Sequence, residues 1–117
     1  NAKGVLVVRR RQMSLLKSIQ DGEGKTVEFK VELPNSNTLA KTIIAFSNTG
    51  GGKLIIGVND QGEIIGLEPD VNIFELKDKV ASIIYETCYP TVLPDIYTTT
   101  IDDQLLLIIE VYRRLVL

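Results

Sequence analysis

The chain has 117 residues and a mass of 13.0 kDa, with 44% hydrophobic and 24% charged residues, the composition of one globular domain and not of a disordered tail or a fibre. It has no His, no Trp and a single Cys, which excludes a His-based triad, a His-ligated metal site and an internal disulfide within the chain, and favours a reducing, cytoplasmic setting. The net charge of −2 is unevenly spread: Lys3, Arg9, Arg10, Arg11, Arg113 and Arg114 sit near the two ends, while residues 12–112 hold 7 basic against 15 acidic groups.

A footprint on a polyanion would therefore have to come from the ends or from a local basic stripe. The longest apolar run, Leu105 to Ile109, is far short of the ~20 residues of a spanning helix, and no signal-peptide pattern is present. No membrane partner is expected.

Asn1-Ala2 reads as a tag remnant, and residues 1–11 as that remnant plus a basic N-terminal arm. Val5 to Val8 within it suits either a short strand or a disordered arm. Residues 12–117 read as one domain. Met13, Leu15, Leu16 and Ile19 recur at helical spacing and predict a short helix over 12–20, with Gly22 as its C-cap. Thr26 to Val31 alternates, Val27, Phe29 and Val31 against Thr26, Glu28 and Lys30, which predicts a half-buried strand. Leu39, Ala40, Ile43, Ile44 and Phe46 predict a helix capped by Asn37. Lys53 to Asn59 and Glu63 to Leu67 predict two strands of a hairpin around Asn59-Asp60-Gln61-Gly62. Ile73, Leu76, Val80, Ile83 and Ile84 predict a longer helix, opened by the capping-box-like pair Asn72 and Glu75 and ended near Cys88. Cys88 itself reads as a small buried hydrophobe. Pro94 to Ile101 and Gln104 to Tyr112 predict two more strands joined at Asp102-Asp103. The second is so apolar that it belongs in the centre of a sheet or under a partner. The expected fold is α+β: a mixed sheet of about five to six strands, two main helices and a short N-terminal helix. No closing element follows the last strand, so the domain is expected to be truncated from a longer protein.

Three groups of residues could carry chemistry. Glu28 and Lys30 share one strand face and Glu23 precedes it; the plain alternative is a solvated face with a weak ion pair. Asn48-Thr49-Gly50-Gly51-Gly52 is a glycine-rich exit from a helix, either a backbone-lined ligand loop or a Schellman cap with a tight turn. It is not a Walker loop, since no Gly-Lys-Ser/Thr follows, and ATP is not expected. Asp60 closes a buried strand, either as an Asx-turn residue or as a third carboxylate beside Glu23 and Glu28. Three converging carboxylates would take Mg²⁺ or Mn²⁺ through oxygen ligands and activate a water for phosphodiester cleavage without a histidine. Arg9, Arg10, Arg11, Lys30 and Lys53 are the candidate phosphate contacts. The apolar strand Leu105 to Val111 is the candidate surface for a homodimer.

The string Glu23-x4-Glu28-Phe29-Lys30, then Ile44 to Gly52, then Leu54 to Gly62 and Ile65-Gly66-Leu67, resembles the Schlafen AlbA-like DNA-binding domain over roughly residues 12–112. The resemblance implies an AlbA-like α+β fold and a role as the DNA- or RNA-binding module of a prokaryotic transcriptional regulator, in proteins also called divergent AAA-type. Some Schlafen relatives carry a three-carboxylate, metal-dependent endoribonuclease centre. Residue by residue, that centre would fall on Glu23, Glu28 and Asp60. The expected function is nucleic-acid binding without catalysis by this domain; the alternatives are the endoribonuclease and a non-catalytic dimerisation domain.

Overall fold

The computed structural model describes residues 2–88 and 92–113, with side chains from residue 10 onward. The elements run α1 (Ala2–Asp21), β1 (Val27–Lys30), α2 (Ser36–Asn48), β2 (Gly52–Ile56), α3 (Ile73–Thr87), β3 (Asp95–Ile101) and β4 (Gln104–Val111). The strands form a single open sheet in the order β1-β2-β4-β3, with β1 parallel to β2 and the other pairs antiparallel. The fold is α+β with a mixed sheet, as expected, but among the described residues it has four strands, not five to six.

β4 lies between β2 and β3 and is buried on both faces: Leu106, Leu107, Ile108 and Ile109 have no exposed surface. A strand with two buried faces has no polar alternation, which is the pattern its sequence shows. Leu107, Ile109 and Val111 join Leu54 and Ile56 of β2 in a core closed by Leu39, Ile43 and Phe46 of α2 and Val80 and Ile84 of α3. Leu106 and Ile108 join Phe29, Ile55, Val58 and Ile101 in a second core closed by Leu15 and Ile19 of α1. The sheet is thus covered by α2 and α3 on one face and by α1 on the other. Because β4 has neighbours on both edges, the expected homodimer through Leu105 to Val111 has no free edge to use.

Local chemistry sets the element ends. Asn35, and not Asn37, caps α2, its Oδ1 accepting the Thr38 N–H at 2.9 Å, and Asn72 caps α3 by accepting the Glu75 N–H at 3.1 Å. Asp102 and Asp103 both adopt left-handed backbone (φ 51° and 61°), the two-residue hairpin geometry whose twist matches the flanking strands. Gly22, with φ 86°, ends α1 as expected.

Three expectations change. The short helix over 12–20 is the C-terminal half of a 20-residue α1, and the Val5 to Val8 segment is helical backbone. No Pro interrupts residues 2–20, so a helix nucleated on the sheet propagates toward the N-terminus at one bond per residue. Within α1 only Leu15 and Ile19 of the expected stripe are buried; Met13 is 70% exposed. The Glu63 to Leu67 segment is no strand: it returns from the turn through a single bridge, Val58 to Ile64, and then bonds Leu105 through the Leu67 N–H at 2.8 Å. β2 already has β1 on one edge and β4 on the other, so the returning chain has no edge to pair with. The side chain of Arg9, together with Arg114 and Leu115 to Leu117, lies outside the described residues. No helix among the described residues is long and apolar enough to cross a membrane.

If α1 is an integral layer, Leu15→Ala should destabilise the domain by about 2–5 kcal/mol and Met13→Ala by no more than about 0.5 kcal/mol, both read from urea unfolding. Equal effects would show that α1 is not docked on the sheet.

Candidate functional site

The α1-facing side of the sheet turns from apolar to polar toward one end. Alternation puts Asp95, Tyr97, Thr99 and Ile101 of β3 on this side, and the register sets Tyr97 opposite Ile108 and Asp95 opposite Glu110. Glu110 in turn stands opposite Lys53 of β2. α1 lies above this corner and meets it with polar side chains. Arg11 donates to Asp95 Oδ2 at 2.9 Å, and its guanidinium lies over the Tyr97 ring, 4.8 Å from the centroid. Gln12 donates to Thr99 Oγ1 at 3.4 Å. Lys53 Nζ donates to Ser14 Oγ at 2.8 Å. Tyr97 donates its hydroxyl to Glu110 Oε1 at 2.9 Å and Tyr112 donates to Asp95 Oδ2 at 3.3 Å. Arg11, Gln12, Tyr97, Thr98 and Thr99 line an open cleft between α1 and β3.

Burial of the Tyr97 ring, with the bond to Glu110 and that carboxylate's charge, pushes its phenol well above the usual tyrosine range. Tyr112 is raised as well, by desolvation first and then by the charges of Glu110 and Asp95. Both phenols therefore stay neutral donors that hold the carboxylates in place.

The sequence-predicted residues fall into separate places. Glu23 Oε1 accepts the Phe29 N–H at 2.9 Å, closing the outer edge of β1. Glu28 and Lys30 alternate with Phe29, project from the opposite face to it, and pair with each other at 3.4 Å. Asp60 is exposed at the tip of the turn, where Asn59, not Asp60, makes the Asx-turn by accepting from Gln61 N and Glu63 N at 3.1 and 2.9 Å. Among the described residues no group of three or more acidic or Cys side chains is placed to hold a metal ion. As arranged, the three carboxylates do not fit a shared Mg²⁺ or Mn²⁺.

The Asn48 to Gly52 loop is a Schellman cap: Gly50 has φ 92° and Gly51 donates its N–H to Phe46 O at 2.7 Å. A side chain at Gly51 would run into the Val111 carbonyl, so the loop is packed against the end of β4 by its own backbone. Of the candidate cations, Arg10 is exposed on α1, Arg11 and Lys53 tie α1 to the sheet, and Lys30 lies on the far face. Sequence reasoning missed Lys17, exposed two turns after Arg10, and the Tyr97–Glu110–Asp95 group. The alternation of Asp95, Tyr97 and Thr99 was visible, but the pairing with Glu110 needs the register.

The profile of the Schlafen, AlbA_2 family matches residues 23–115. The chain belongs to the Schlafen, AlbA_2 family. Two solved structures are similar to this Schlafen AlbA_2 domain. The DIP2311 protein from Corynebacterium diphtheriae is 24% identical with a TM-score of 0.56, over 91% of this chain and 23% of that one. The N-terminal domain of a RecG-related protein from Nitrosomonas europaea is 24% identical with a TM-score of 0.47, over 86% of this chain and 71% of that one. A search of curated proteins gave no match. The family match begins after α1, so the helix that covers one face of the sheet lies ahead of the matched Schlafen AlbA_2 segment.

Two outcomes test this site. Since the phenol of Tyr97 is harder to ionise folded than unfolded, its contribution to stability is complete below about pH 10, the ordinary tyrosine value, and is lost as pH rises above it. Urea unfolding between pH 8 and 11 should show a falling stability that is flatter in Tyr97→Phe. Glu23→Ala, which strips the Phe29 N–H of its acceptor, should cost about 1 kcal/mol, against no more than about 0.5 kcal/mol for Asp60→Ala.

Proposed function

We propose that this Schlafen AlbA_2 domain is a nucleic-acid-binding module, of the kind that serves a transcriptional regulator, and that it binds through α1 and the cleft beside it. Family membership supports the reading, and the observation that carries it is Arg11. Its contact with Asp95 uses Nη2, which leaves the other donors of a side chain that is 48% exposed at the wall of the cleft. A guanidinium held over a tyrosine ring, beside the hydroxyl of Thr99, suits a phosphate with a base stacked next to it.

Arg10 and Lys17 extend the footprint. They are exposed and seven residues apart, so they lie on the same outward side of α1, away from the buried Leu15 and Ile19. α1 as a whole carries Lys3, Arg9, Arg10, Arg11 and Lys17 against the single acid Asp21. The rest of the domain is acidic and repels a polyanion. The footprint is therefore short, a few phosphates along one helix, and the salt dependence is correspondingly shallow.

Fluorescence anisotropy with short single- and double-stranded DNA and RNA at two salt concentrations tests this. Arg10→Glu with Lys17→Glu should weaken binding at least about tenfold at low salt and reduce the salt slope by about 1.5. No binding of any of these at low salt would overturn the proposal.

A further inference from the structure

The sheet has two outer edges, and the chain treats them differently. β1 is four residues long, carries the charges Glu28 and Lys30, and has its outward backbone covered by the preceding turn. Glu23 takes the Phe29 N–H, and the Gly24 N–H goes to Val27 O at 3.0 Å. These are the usual protections of an edge.

β3 has only one of them, the charge of Asp95 at its first residue, which Arg11 pairs. It runs seven residues in unbroken register with β4 and contains no Pro, no Lys and no bulge. Its two-residue hairpin makes Ile101 and Gln104 the closing hydrogen-bonded pair. Bonding then alternates, so Asp95, Tyr97, Thr99 and Ile101 bond to β4 while Ile96, Thr98 and Thr100 turn their N–H and C=O groups outward. The Leu67 N–H reaching Leu105 O fits the same alternation, since Leu105 opposite Thr100 also points away from the β3–β4 ladder. Among the described residues nothing bonds to the outward groups of Ile96, Thr98 and Thr100. Arg11 and Gln12 reach β3 from the α1 face through side chains and leave this edge open.

We propose that β3 pairs antiparallel with β3 of a second copy, across a two-fold axis at Thr98, joining two four-stranded sheets into one. The occupant is argued from the strand itself. Thr98 is the middle of Asp95–Ile101, so an antiparallel copy centred there uses the whole strand. The pairs are Thr98 with Thr98, Ile96 with Thr100, Tyr97 with Thr99 and Asp95 with Ile101 of the second copy. No like charges meet, and Thr–Thr and aromatic–β-branched pairs are favourable on a sheet. Each outward N–H finds an outward C=O, which a partner of unrelated sequence would satisfy equally but without this match of side chains. The pairing sets the two Arg11–Tyr97 clefts beside the same axis, on one face of the joined sheet.

Sedimentation velocity over a concentration series, with the full chain, should show a monomer–dimer equilibrium. Thr98→Lys, which places like charges directly opposite each other, should weaken the dimer more than about tenfold. A cysteine scan fixes the register. Thr98→Cys meets its own copy at a Cα separation of about 5.5 Å, within the range of about 4.4–6.8 Å that a disulfide needs. It should cross-link on mild oxidation, whereas Thr100→Cys, opposite Ile96, should not. The parent chain, whose Cys88 is buried, is the control. A chain that stays monomeric at about 1 mM, or that cross-links equally through Thr98→Cys and Thr100→Cys, would overturn the proposal. A dimer unaffected by Thr98→Lys would overturn it as well.

Discussion

Everything in this fold depends on the burial of β4 from both sides. Leu106 to Ile109 alternate between two cores and have no exposed surface in either. Fully burying each such side chain is worth about 1.5–3 kcal/mol, but only if both faces have a cover. α2 and α3 close one face. The family-matched segment begins at residue 23 and contains no helix for the other, so that cover has to come from α1. A helix that lies outside the family match is nevertheless a structural layer of this chain.

This constraint also decides where the charge goes. As a string, the chain is an acidic body with basic ends. Docking α1 on the sheet brings the N-terminal cations onto the folded body. Arg11 and Lys53 are then used twice over: each reaches across the α1–sheet boundary, to Asp95 and to Ser14, and so helps to hold the layer that carries the other cations. An ion pair half in solvent adds little stability by itself. Its value lies in orientation, because Tyr97 supports the guanidinium from below while Glu110 fixes Tyr97. The acidic groups at this corner are thus part of the basic site and do not simply oppose it.

Much of this was legible residue by residue. Period-two alternation located β1, helical spacing located α2 and α3, and Asn72 marked the start of α3 through its own capping bond. The all-apolar run at 105–109 correctly signalled a central strand. What failed has one cause. Strand propensity at Glu63 to Leu67 was real, but a strand needs an open edge, and β2 had already spent both of its edges on β1 and β4. The same holds for Val5 to Val8, where β-branched residues follow a helix because helical neighbours, and not sheet neighbours, are at hand. Pairing is a property of the whole topology, and one-dimensional patterns do not carry it. The three carboxylates show this most clearly: Glu23 and Glu28 are close in sequence, yet one serves the backbone edge of β1 and the other a lysine two residues away.

That use of Glu23 links the edge of the sheet to any chemistry at the same place. The Phe29 N–H points out of the sheet, and in a parallel edge strand it has no β-partner within the chain. Glu23 supplies one, and the turn bond from Gly24 to Val27 brings the carboxylate to the right height. For Glu23 to serve as a metal ligand, it would have to give up this donor or bind it and the ion through different oxygens. Glu28 would have to leave Lys30, and Asp60 would have to come in from an exposed turn that Asn59 holds from the other side. Each move trades a bond the fold already has for one to an ion. In this chain Glu23 therefore serves first as edge protection, which leaves β3, whose outward backbone has no such acceptor among the described residues, as the edge where the sheet can grow.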